Sequence, residues 1–263
     1  MRLADAAIAL LVFAGSASAA ASADPQDLYA AGKYQMAIEA GGSQGTASSL
    51  AVAAHATLAE TTLRGLPCLE CIGRAEAFAR RAIALDPKLP EGHLYLAVAL
   101  GYEARIRGAV AARLRGLVEE AKTHLDAALA ADPDNARVLA ALGGWNIAVA
   151  GKAGDTLAHW LYGASFNEGM KDFARAFRLA PQDIALRYQY ALSLSGYDAA
   201  TYRKEIETSL SRVIAGKPAT AYDSESQKRA RELLRILKTN DMDAFQQTVR
   251  RYQGYPDATD SPR

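Results

Sequence analysis

Apolar residues recur at helical spacing along this chain, and three times the pattern stops at a proline and then resumes. The segments are "RAIALDPKLPEGHLYLAVALG" (81–101), "LDAALAADPDNARVLAALGGW" (125–145) and "FARAFRLAPQDIALRYQYALS" (173–193). Ala75, Ala79 and Ala82 precede Pro87; Ala121, Leu125 and Ala128 precede Pro133; Gly169, Phe173 and Ala176 precede Pro181. Each set stands 12, 8 and 5 residues ahead of its proline. That spacing puts three mostly small residues on one helix face, where a neighbouring helix can press close. The proline then ends the helix, because it lacks an N–H and crowds the residue before it. A second helix follows each time, with Leu96, Leu142–Gly143 or Tyr190–Ala191 at matching offsets. Between repeats, "GYEARIRGAVAARLRGLVEEA" (101–121) reads as helix almost throughout, with a break near Gly108. "AGKAGDTLAHWLYGASFNEG" (150–169) reads as a loop carrying a short helix around Trp160. Further helices are predicted in 28–42 and 46–65, and after Pro181 at about 183–196, 199–215, 223–239 and 241–253.

The offsets resemble those of the tetratricopeptide repeat, a helical hairpin that stacks into a solenoid. The predicted fold is therefore all-α, a right-handed solenoid of antiparallel helical hairpins. Its repeats are lengthened, because the prolines lie 46 and 48 residues apart and not the usual 34. With that widened spacing, Ala75 to Leu237 resembles the regulator-of-microtubule-dynamics family of helical repeat proteins. The resemblance is carried by residues 101–151, including Leu142-Gly143-Gly144-Trp145, by "GMKDFARAFRLAP" and by "GKPATAYDSESQKRARELL". It implies the fold. Some animal members act at microtubules or membrane contact sites, and one is linked to phospholipid binding through its repeat domain. The microtubule role does not transfer to an exported bacterial protein.

Export is the expectation from residues 1–23, "MRLADAAIALLVFAGSASAAASA". Arg2, an apolar run from Ala6 to Ala14 and Ala-x-Ala sites ending at Ala19 and Ala23 form a signal-peptide layout. The run is too short to span a bilayer, which takes about 20 residues. Heavy alanine use points to a bacterium and hence the periplasm. The expected organisation is a leader over 1–23, a helical repeat domain over 24–254 and a flexible tail over 255–263. A formal net charge of +1 argues against nucleic acid as a partner, and no later segment is apolar for long enough to span a membrane.

Catalytic motifs are absent. His55, His93, His124 and His159 are scattered in the sequence, with no HExxH pair, GxSxG elbow or phosphate-binding glycine loop. His93 falls at a packing position of the repeat. No catalysis, cofactor or metal is expected. The two cysteines, Cys68 and Cys71, sit in "LPCLECIGRA". Ile72 stands where c-type haem attachment needs histidine, and no second cysteine pair completes a zinc site. A structural disulfide is the reading for an oxidising compartment, since helical spacing brings the two Cα atoms to about 5 Å. A redox-sensitive pair and a partial metal site remain alternatives.

Repeat arrays of this kind bind along the concave side of their first helices. That face is read as Leu94, Val98 and Tyr102, then Arg137, Ala140, Gly144 and Ile147, then Ala185, Tyr188 and Leu192. It is apolar, with Arg137 almost alone as a charge. Two functions fit: an exported, non-catalytic adaptor that binds another protein through this face, and a carrier of a lipid or other apolar ligand in the groove. A third possibility is that the N-terminal helices or the Trp160 segment fill the groove. Arg105, Arg107, Arg113 and Arg115 are read as a solvated helix face.

Overall fold

The computed structural model describes residues 23–65 and 68–256. Residues 1–22 of the expected leader and residues 257–263 of the expected tail lie outside them. Among the described residues the chain is all α, with fourteen helices and no strand. In order these are α1 (Pro25–Ala30), α2 (Tyr34–Gln44), α3 (Ala47–Arg64), α4 (Leu69–Leu85), α5 (Pro90–Arg107), α6 (Ala109–Leu114) and α7 (Leu117–Ala131). They continue with α8 (Ala136–Ala153), α9 (Asp155–Tyr162), α10 (Phe166–Leu179), α11 (Ile184–Asp198), α12 (Arg203–Ala215), α13 (Ala221–Lys238) and α14 (Met242–Tyr252).

Contacts between helices follow a regular order. The pairs α1–α2, α3–α4, α5–α7, α8–α10, α11–α12 and α13–α14 each pack together. The first helix of each pair also touches the first helix of the next: α1 with α3, α3 with α5, α5 with α8, α8 with α11 and α11 with α13. The second helix of each pair packs on the first helix of the next as well, as α4 does on α5 and α7 on α8.

The three proline turns are the same structure built three times. Leu89, Asn135 and Asp183 donate their backbone N–H to the carbonyls of Asp86, Asp132 and Ala180, at 3.1, 3.2 and 3.2 Å. Proline occupies the second position, where its fixed φ favours such a turn, and the next helix starts three residues after it in each case. Two of those starts are capped by side chains: Asn135 accepts from the N–H of Arg137 and Val138, and Asp183 from that of Leu186. The small-residue faces are buried as the spacing predicts. Ala75, Ala79, Ala82, Ala128, Phe173 and Ala176 have no exposed surface, and Ala121 and Leu125 have 2%. Helices α8 and α10 approach closely, since a Cβ on Gly143 would lie 2.9 Å from the Gly169 carbonyl and one on Gly169 2.8 Å from the Gly143 carbonyl.

The additional repeat length forms one short helix in each interval. After α5, Gly108 (φ 83°) redirects the chain into α6; after α8, Gly154 (φ 79°) does the same into α9. The predicted break at Gly108 is therefore present. The stretch 150–169 is more helical than expected, because α8 runs on to Ala153 before Gly154 turns the chain.

The first helices and the last pair of the described residues meet. Helix α1 touches α13, and Tyr222 of α13 packs on the cluster formed by Leu28, Tyr29, Ala37, Ile38, Ala56 and Ala59. The buried Arg229 donates to the last carbonyls of α3, Thr62 at 2.9 Å and Leu63 at 3.1 Å. At the start of α4 the sulfurs of Cys68 and Cys71 lie at disulfide distance, with Cα atoms 5.2 Å apart as helical spacing anticipates.

Candidate functional site

First helices of successive pairs surround a cavity of about 1670 Å³. Small-molecule sites usually fall between about 300 and 1,000 Å³, so this one has room for an extended ligand. On α8, Arg137, Ala140, Ala141, Gly144 and Ala148 line it at helical spacing; on α5, Leu94, Val98 and Tyr102 do so. Leu157 and Leu161 of α9 and Ala109 and Ala112 of α6 extend the wall. Trp160 points elsewhere and is 79% exposed, so the segment around it does not fill the groove. Tyr255 and Pro256 also border the cavity, and Tyr255 is held between Lys152 and Arg250, 4.9 and 4.8 Å from its ring centre.

Seven of the ten residues assigned to this face line the cavity: Leu94, Val98, Tyr102, Arg137, Ala140, Gly144 and Ala185. Ile147, Tyr188 and Leu192 do not. All three are buried in the core shared by α8, α10 and α11. The reason is the drift of the helix. From Gly144 the lining continues at i+4 with Ala148, while Ile147 at i+3 turns toward α10, where it lies 2.7 Å from where a Cβ on Gly169 would sit. From Ala185 the lining continues with Gln189 and Ser193, both polar. The repeat positions that give Tyr188 and Leu192 lie on the core face of α11.

The charge of the wall also departs from the expectation. Arg137 is joined by Arg105, Arg107, Arg113 and Lys152 from the ends of α5, α6 and α8. Lys217, before α13, and Arg250, on α14, complete seven cations against two carboxylates, Asp183 and Asp223. Both carboxylates cap helices: Asp183 accepts from Leu186 N–H at 3.0 Å, and Asp223 from Ala219 and Thr220 N–H at 3.0 and 2.9 Å. Of the cations, Arg107 pairs with Glu103. Arg105 lies over the Tyr102 ring at 5.0 Å. A chain of formal charge +1 thus concentrates positive charge around one cavity.

Beside Arg137 is an aromatic stack from three helices. Tyr29, His55 and Tyr95 stack with ring centres 4.1 and 4.3 Å apart, and the Tyr29 hydroxyl is hydrogen-bonded to His55 Nε2 at 2.8 Å. Burial, reinforced by the Arg137 charge, pushes His55 down to about 3. It is therefore neutral at physiological pH and leaves Arg137 as the cation of this corner. The other histidines divide. His159 is exposed on α9. His93 and His124, distant in sequence, meet at 2.8 Å between Nδ1 atoms, and His93 Nε2 bonds the Pro87 carbonyl at 3.0 Å. Since Nε2 must donate to that carbonyl, His93 Nδ1 accepts and His124 Nδ1 donates, which places the single proton of the His93 ring on Nε2. The pair joins α5 to α7, in keeping with the packing position assigned to His93.

No helix of the described residues is long and apolar enough to cross a membrane. A comparison with curated proteins gave no match. The family model described as Regulator of microtubule dynamics protein 1-3 matches residues 48–238, a span running from α3 to the end of α13 that includes both short inserted helices. The chain belongs to the regulator-of-microtubule-dynamics family.

Proposed function

We propose that this chain is a non-catalytic binding protein that holds a ligand with an apolar body and an anionic group in the cavity along its first helices. The observation that carries this reading is the wall itself: an apolar surface around about 1670 Å³, with seven cations facing two carboxylates already used as caps. A cationic excess beside an apolar surface is costly unless a counter-charge arrives, and an anionic amphiphile supplies both the apolar contact and the anion. In this reading the helix pairs stack as a right-handed tetratricopeptide-like solenoid, and the leader over 1–23 sends the mature chain to the periplasm.

The experiment is solvent extraction of the purified protein followed by mass spectrometry, with displacement of a fluorescent fatty acid as the binding assay. Arg137→Ala should weaken an anionic probe by up to about fivefold, since one partly exposed charge contributes about 1 kcal/mol or less. A neutral probe should be unaffected. Failure of every amphiphile to bind would remove the proposal. The adaptor reading has one observation in its favour, because the same cations would accept an acidic peptide. Binding of such a peptide, with nothing extracted, would move the conclusion there. N-terminal sequencing of the exported product tests the leader, with cleavage expected after Ala19 or Ala23.

A further inference from the structure

The two inserted helices repeat one another position by position. Four residues after Gly108 and Gly154 come Ala112 and Ala158, buried at 3% and 0% exposure. Six residues after each glycine come Leu114 and Trp160, exposed at 84% and 79%. The small residue anchors each insert, and the large apolar one projects. Val110 on α6 and Leu157 on α9 add to the exposed surface at 77% and 45%. Because α5 and α8 pack together, and each insert follows the C-terminus of one of them, α6 and α9 share one rim of the cavity.

That rim is basic. Residues 104–118 contain Arg105, Arg107, Arg113 and Arg115, of which Arg107 is paired with Glu103, and Lys152 precedes α9. The one carboxylate of α9, Asp155, is engaged by the Phe166 N–H at 2.9 Å. We propose that α6 and α9 form a docking surface for an anionic lipid bilayer. Leu114, Trp160 and Val110 would enter the headgroup region, with the arginines meeting anionic lipid. Tryptophan and leucine projecting beside arginine are what an interfacial contact uses, and each basic residue near an anionic surface adds attraction. The side chains protrude from two short helices, which suits a fluid headgroup layer that closes around them. Docking here turns the cavity edge formed by Arg113 and Leu157 toward the lipid. The inference goes beyond ligand binding and does not require a loaded cavity.

The test is co-sedimentation of the full chain with phosphatidylcholine vesicles, with and without phosphatidylglycerol. Binding should need the anionic lipid and fall with salt. The variant carrying Leu114→Ser and Trp160→Ser should bind about tenfold more weakly or worse. Any contribution of the N-terminal apolar stretch is common to both chains. Trp145, which donates to the Val118 carbonyl at 3.1 Å, and Trp160 are the two tryptophans. Trp145→Phe therefore isolates Trp160, whose emission should shift to the blue with anionic vesicles. Unmoved Trp160 emission, or wild-type binding by the double variant, overturns the proposal and leaves a protein partner as the occupant of this surface.

Discussion

Val98 and Ala140 both line the cavity, yet an aspartate at each should behave oppositely. Val98 is partly buried on α5, at the edge of the core that α5 shares with α3, α4 and α7. Replacing it removes about half of a valine's burial, on the order of 1 kcal/mol. The new carboxylate faces a cavity whose wall carries seven cations, so it keeps its charge without an added desolvation cost. Val98→Asp should lower Tm by only about 2–4 °C per kcal/mol lost for a chain of this size. Ligand binding should suffer far more. An acyl chain laid over that carboxylate strips its water at a cost of several kcal/mol, or about a hundredfold in affinity or more. Ala140 is 5% exposed and belongs to the core shared with α10 and α11. Ala140→Asp forces a carboxylate into packed surroundings, about 3–5 kcal/mol, and should unfold the protein or lower Tm by roughly 10 °C or more. Circular dichroism melts beside fluorescent fatty-acid displacement separate the two. A Val98→Asp protein that is folded and binds normally would refute the cavity as the ligand site. Equal melting of both variants would refute the assigned orientation of α8.

Four further outcomes are expected. His55 is held near 3 in the folded chain against about 6.5 unfolded, so below pH 6.5 the unfolded state takes up a proton that the folded state refuses. Its contribution is complete above pH 6.5 and is lost as pH falls toward 3; between pH 7 and 5 this is about 2 kcal/mol, and urea midpoints of His55→Gln should lack that part of the pH dependence. Gly143→Ala should destabilise by about 1–3 kcal/mol, because the added Cβ lies 2.6 Å from Phe173 and 2.9 Å from the Gly169 carbonyl. Gly101→Ala, with open space around it, should stabilise by about 0.5–1 kcal/mol in the same thermal melts. The double serine variant of Cys68 and Cys71 should lose about 2 kcal/mol or less, since the closed loop is so short; thiol labelling without reduction would show the pair unbridged.

Features written as local rules were legible in the sequence. The proline turns and the small-residue faces depend on spacing within one turn or one helix, and all three copies formed as read. What failed depends on how helices are rotated against one another. Tyr188 and Leu192 read as groove residues by their position in the repeat, but burial in a core and exposure to a cavity suit the same residue types. Gln189 and Ser193, which border the cavity, carried no apolar signal. The positive wall was hidden for a different reason: its cations come from four separate stretches, and only folding gathers them. The His93–His124 contact likewise joins residues whose own surroundings in the sequence say nothing of each other. Trp160 did carry a signal, since it stands six residues after Gly154 as Leu114 does after Gly108, and aligning the intervals on those glycines exposes the match.

Arg229 has an effect that reaches beyond its own contacts. In a linear stack of helix pairs, each unit leans only on its neighbours, so an end can peel away while the middle stays folded. By binding the Thr62 and Leu63 carbonyls, with its guanidinium 4.5 Å from the centre of the Tyr252 ring, Arg229 fastens the sixth pair to the second. The stack then acts as a buckled bracelet. Parting α13 from α3 would break a charge-assisted bond in buried surroundings, so loss of structure in the second pair is felt in the sixth.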